Sequence, residues 1–127
     1  MNAVSSFIRM FAIKKIFMLI QCTLCLGSNT DAQANVEKAR AMLTTLLPGI
    51  CWKKARWTEP VDFPTPSLFL NQLGIFSTTM PCDEVRHCFK EIERLCGRLP
   101  EDKAKGIVRM DIDLLTYGNE KLKESVI

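Results

Sequence analysis

At 127 residues the chain makes one domain at most. Its 17 lysines and arginines against 14 aspartates and glutamates give a net charge of +3. Arg9, Lys14 and Lys15, all ahead of the first acid Asp31, supply the whole excess, so the rest of the chain is neutral and offers no electrostatic case for nucleic acid or an anionic membrane.

The first segment reads as a signal peptide over residues 1–27. Arg9, Lys14 and Lys15 form a positive start, and an uncharged apolar run from Ile16 to Gly27 follows. That run is too short for the ~20 residues of a membrane span. Cleavage is expected after Gly27, or as late as Ala34 in Ala32-Gln33-Ala34. The remainder, 28–127, is expected to be a secreted, extracellular helical domain with no membrane insertion after cleavage.

Asp31 to Leu47 predicts helix A, with Val36, Ala39, Leu43, Leu46 and Leu47 at helical spacing and Pro48-Gly49 as its stop. From Ile50 to Met80 the pattern breaks down around Pro60, Pro64 and Pro66. This stretch reads as a long, packed A–B loop, with a helical turn or two over Ser67 to Leu73. Within it, Trp52-Lys53-Lys54-Ala55-Arg56-Trp57 reads as a loop whose tryptophans pack inward and whose bases stay wet. Helix B is expected over Asp83 to Cys96: Val85, Cys88, Phe89, Ile92, Leu95 and Cys96 form one stripe, while Arg86, Lys90, Glu91, Glu93 and Arg94 face away. Pro81 suits its first turn and Gly97 its end. Helix C is expected from Leu99-Pro100 onward, with Ile107, Met110, Leu114 and Tyr117 as its stripe. The short B–C link makes those two helices antiparallel neighbours.

Little in this reading carries chemistry. His87 is the only histidine, and on a helix it points about 100° away from Cys88, so the two do not face each other. Asp111 and Asp113 would lie on opposite sides of helix C, as part of a solvated face rather than an acid–base pair. The chain has no phosphate loop, G-x-S-x-G, H-E-x-x-H or calcium-loop motif. No enzyme activity, cofactor, metal or nucleic-acid partner is expected. Outside the signal segment, Cys51, Cys82, Cys88 and Cys96 are the disulfide candidates. On an intact helix Cys88 and Cys96 stand about 12 Å apart, beyond the ~7 Å a disulfide spans. A bridge from Cys51 to a helix-B cysteine, a disulfide-linked partner chain, and buried free thiols all stay open.

The segment Cys82-Asp83-Glu84-Val85-Arg86-His87-Cys88-Phe89-Lys90-Glu91-Ile92 resembles the start of helix B in short-chain cytokines of the interleukin-2/-15/-21 group. The resemblance covers about residues 82–95. It implies an all-α, short-chain four-helix cytokine-like bundle with a long A–B loop, of which only helices A, B and C are present and helix D is lacking. It also implies that the helix-B cysteines pair with cysteines near helix D. The function implied is a secreted ligand that binds cytokine receptor chains and signals in immune cells. Exposed polar residues such as Glu37, Arg40 and Asp111 would make the receptor contacts. The alternative reading is a secreted helical carrier of a small apolar ligand.

Overall fold

The computed structural model describes residues 18–63 and 65–127. Arg9, Lys14 and Lys15 lie outside them. From Ile20 the apolar run assigned to the signal core is strand β1 (Ile20–Ser28). A tight turn with Asp31 at φ 44° leads into helix α1 (Ala32–Leu46). Short strands β2 (Cys51–Trp52) and β3 (Arg56–Thr58) follow, then β4 (Phe69–Thr78) and helix α2 (Cys82–Leu95). A loop with one 3-10 turn at Lys103–Lys105 leads to β5 (Asp111–Tyr117) and the short β6 (Glu120–Lys121).

The expected all-α bundle is therefore replaced by an antiparallel sheet with two helices. The strand order is β2-β4-β1-β5-β6, and β3 pairs with the same edge of β4 as β2. Helices A and B exist close to their expected bounds. Helix C does not: its core is β5. The supposed long loop contains β2, β3 and β4. β1 is hydrogen-bonded to β4 on one side and β5 on the other, so it joins the two halves of the sheet. A chain lacking residues 1–27 would lack that join. With β2 and β3 counted as one interrupted strand, the order is the βαββαβ of a ferredoxin-like fold.

Both helices cover one face of the sheet. Ala32, Val36, Ala39 and Leu43 of α1, and Val85, Phe89 and Ile92 of α2, pack on Cys22, Leu24 and Leu26 of β1, Leu70 and Phe76 of β4, and Ile112 and Leu114 of β5. Phe76 and Phe89 meet edge to face with centroids 6.2 Å apart, a geometry worth about 1 kcal/mol beyond burial. Trp52 lies over Gly74, where an added Cβ would stand 2.9 Å from its ring, and its indole N–H donates to Thr44. Trp57, by contrast, is exposed.

Candidate active site

The other face of the sheet forms the floor of a cleft of about 810 Å³. Strand pairing sets its layout. Gly27 stands between Asn71 and Asp111, and Cys25 stands between Leu73 and Asp113. The walls are the segment after β3 (Glu59 to Phe63), the α2–β5 loop and the segment after β6.

Asp111 and Asp113 are two residues apart on a strand, so both side chains rise from one face; their Cα atoms stand about 7 Å apart along it and their carboxyls lean to hydrogen-bonding distance. Between them Ile112 turns into the core. Burial, then the neighbouring Asp111 charge, raises the Asp113 carboxyl above its usual range, against the pull of Lys123. Lys123 Nζ lies 2.9 Å from Asp113 Oδ2. Arg98 lies 3.0 Å from Asp111 Oδ1 and donates as well to the Met110 carbonyl. Burial alone would lower the Arg98 pKa, but Glu93 and Asp111 outweigh it and hold the guanidinium charged.

Glu93 anchors this arrangement from the helix side. It is buried beneath β5, accepts the Ile112 amide hydrogen at 2.8 Å, and stands 3.2 Å from Arg98. Burial raises its pKa, opposed by the Ile112 amide and Arg98. One side chain thus fixes both the strand carrying the acid pair and the arginine facing it. Helical spacing had turned Glu93 outward; instead it follows Ile92 under the sheet.

The α2–β5 loop is also tied down. Asn29 donates to the Gly106 carbonyl at 2.9 Å and accepts the Val108 amide hydrogen at 2.7 Å. Buried Asp102 accepts from Arg109 at 3.0 Å and from the Leu99 amide at 3.3 Å. Lys103, Leu99, Pro100 and Ile107 consequently form a fixed wall. At the opposite end, Asn71 donates to the Thr58 hydroxyl at 2.5 Å, beside the edge-to-face rings of Phe63 and Phe69 at 6.0 Å. Gly27 makes room there, since a Cβ on it would stand 2.9 Å from Asn71 Oδ1. Aromatic edges around an amide suit a flat, polar heterocycle.

Cys25 is no nucleophile. Burial, then Asp113 and Asp111, pushes its thiol up to about 12, so it stays protonated. His87 is exposed on α2. Of the residues assigned to receptor contact, Glu37 is exposed on α1, Arg40 donates to Gln72 at 3.2 Å, and Asp111 alone lies in the cleft. The disulfide candidates are spread out: Cys51 exposed on β2, Cys82 and Cys88 half-buried on α2, Cys96 buried at its end, all with free thiols. The reading from sequence missed Glu93, Arg98, Asn71, Phe63, Phe69 and Lys123. It dismissed the pair Asp111 and Asp113, for which the alternation Met110-Asp111-Ile112-Asp113-Leu114 was the available signal.

The family model for 7,8-dihydro-6-hydroxymethylpterin-pyrophosphokinase (HPPK) matches residues 23–126, from within β1 to the segment after β6. No curated protein is significantly similar to the chain. The match overturns the cytokine resemblance, the receptor-chain partners, the small-ligand carrier and the expectation of a non-enzyme, because it covers every element of the sheet while the cytokine likeness rested on one helix. The chain belongs to the 7,8-dihydro-6-hydroxymethylpterin-pyrophosphokinase family.

Proposed function

We propose that this protein transfers a pyrophosphoryl group from a nucleoside triphosphate to the hydroxymethyl oxygen of 6-hydroxymethyl-7,8-dihydropterin. The hydroxyl oxygen bonds to the β-phosphorus and its proton passes to solvent water. The bond from that phosphorus to the α,β-bridging oxygen breaks, and the nucleoside monophosphate leaves. The observation that carries this reading is the acid pair Asp111 and Asp113 on the cleft floor, faced by Arg98 and Lys123.

Such a transfer needs positive charge on the phosphates more than it needs a nucleophilic side chain. Asp111 and Asp113 would hold a divalent cation of the magnesium class, whose chemistry is to neutralise charge on phosphate oxygens. The residues fit that ion. Asp113 is held above its usual pKa beside a second carboxylate, so positive charge is favoured there. No cluster of three or more metal-ligating side chains occurs among the described residues. Magnesium suits this, since it takes one or two carboxylates and completes its shell with water and substrate phosphates.

The remaining roles belong to the chain's own residues. Arg98, Lys90 and Lys103 line the cleft as further cations for the triphosphate. Asn71 and the Phe63–Phe69 pair hold the pterin, the amide reading its polar edge and the rings its flat body. The fixed α2–β5 wall limits where the phosphates lie, and so aligns the two substrates.

The test supplies purified protein with the pterin, adenosine triphosphate and magnesium, and follows pterin diphosphate and adenosine monophosphate by mass spectrometry. Asp111→Asn and Asp113→Asn should each lower kcat at least about 100-fold, the scale for losing a principal electrostatic contact in a transition state. Release of adenosine diphosphate in place of the monophosphate, or full activity in Asp113→Asn, would refute the proposal.

A further inference from the structure

The two carboxylates on the cleft floor have different counter-ions. Arg98, which faces Asp111, is held at three points: Glu93 at 3.2 Å, the Met110 carbonyl at 3.2 Å and Asp111 itself at 3.0 Å. It is part of the framework. Lys123, which faces Asp113, has one side-chain partner, at 2.9 Å. Its backbone is fixed, because the amides of Leu122 and Lys123 both donate to the Leu115 carbonyl and Leu122 packs against the core. Its side chain is not fixed: it is more than half exposed and carries a charge on a flexible four-carbon stem. The neighbouring Lys121 pairs with Glu124 instead, which also lines the cleft.

We infer that Lys123 is an exchangeable counter-ion that couples metal binding to phosphate binding, an inference that rests on the metal-site reading above. Without ligands its ammonium sits on Asp113 and competes with any divalent cation for that carboxylate. A triphosphate in the cleft offers the ammonium phosphate oxygens within reach of the same anchored backbone. Lys123 moves from carboxylate to phosphate and leaves Asp113 open to the cation. Metal alone therefore binds weakly, and metal and triphosphate strengthen each other by one common factor, as linkage requires. The arrangement favours filling the acid pair when the donor is present.

The test measures Mn²⁺ binding by calorimetry and electron paramagnetic resonance, with and without α,β-methylene adenosine triphosphate, which carries no cleavable bond at the transfer site. Lys123→Met should bind Mn²⁺ alone about two- to fivefold more tightly, the range that a partly exposed ion pair is worth. The factor by which the triphosphate analogue strengthens Mn²⁺ binding should fall by at least as much. Lys123→Arg, which keeps the cation, should retain most of that factor. Circular dichroism confirms that each variant is folded. Unchanged or weaker Mn²⁺ binding in a folded Lys123→Met, or an unchanged coupling factor, would overturn the inference. Asp113→Asn separates the two levels of the argument. If it abolishes Mn²⁺ binding while Lys123→Met shifts nothing, only the role of Lys123 fails. If Asp113→Asn binds Mn²⁺ as the wild type does, or the wild type binds none even with the analogue, the metal-site reading fails and takes the inference with it.

Discussion

Asp113→Asn should stabilise the protein while it lowers kcat. The Cα atoms of the two residues stand about 7 Å apart along β5, and their carboxyls lean together to hydrogen-bonding distance. Two unit charges about 4 Å apart repel by about 1 kcal/mol in water and about 4 kcal/mol at an effective dielectric of ~20. Asparagine removes this repulsion and part of the burial cost. It also removes the Lys123 pair, worth about 0.2–1 kcal/mol at this exposure. The net gain is about 1 kcal/mol at pH 7, or about 4 °C in Tm for a domain of this size. The sign of the pH dependence follows from the raised native pKa of Asp113. In the wild type the native state holds the proton more tightly than the unfolded chain does. The carboxyl's favourable contribution is therefore complete below its ordinary value of 3.8 and is lost as pH rises through the native pKa. The variant titrates no group there, so its advantage should be largest at neutral pH and should shrink in acid. Urea unfolding at pH 7, 5.5 and 4, followed by circular dichroism, measures it. A variant less stable than the wild type at pH 7, or an advantage independent of pH, would refute the claim that the acid pair is held together against its own charge.

Glu93→Ala should cost about 2–4 kcal/mol in urea unfolding, because it leaves the Ile112 amide and Arg98 without their buried acceptor; a loss under about 1 kcal/mol would argue against the anchoring role. Gly27→Ala should turn the Asn71 amide, whose oxygen would lie 2.9 Å from the new Cβ. The KM for the pterin should then rise about tenfold, the scale of one displaced hydrogen bond, with a smaller change in the KM for the triphosphate. Equal effects on both substrates would place Asn71 outside the pterin site.

The two helices were legible because each shows one period. Val36, Ala39 and Leu43, and Val85, Phe89 and Ile92, are buried where helical spacing puts them. The strands were hidden for separate reasons. β4 buries its helix face throughout, but that face carries Gln72, Gly74 and Thr78 while the other carries Phe69, Leu73 and Ile75, so the residue types show no alternation. Gln72 is paid for by Arg40 and the Lys53 carbonyl, partners far away in sequence. β1 is a short uncharged apolar run, the pattern shared by a buried central strand and a signal core. The polar Ser28-Asn29-Thr30-Asp31 that looked like a cleavage flank is the turn into α1, where Asn29 clamps the α2–β5 loop. Ile107 and Met110 of the loop before β5, with Leu114 and Tyr117 of the strand, imitate a helical stripe. The Gly118-Asn119 pair, with Gly118 at φ 61°, is a two-residue hairpin signal that argues the other way.

The case of β5 shows why the fold and the chemistry had to be read together. The separation of Asp111 and Asp113 in sequence has no chemical meaning until the backbone period is fixed. At 100° per residue the two carboxylates diverge by about 200° and share nothing; at 180° per residue they rise side by side. Their neighbours decide between these. Ile112 and Leu114 are both buried against the helices, and an alternation of buried apolar with half-exposed acidic residues satisfies only the strand. Once β5 is a strand, the carboxylates lie on the face that no helix covers, and Gly27 and Cys25 on the adjacent strand are too small to screen them. The same step that removes the third helix creates the site, so the loss of the bundle and the gain of a catalytic function are one correction.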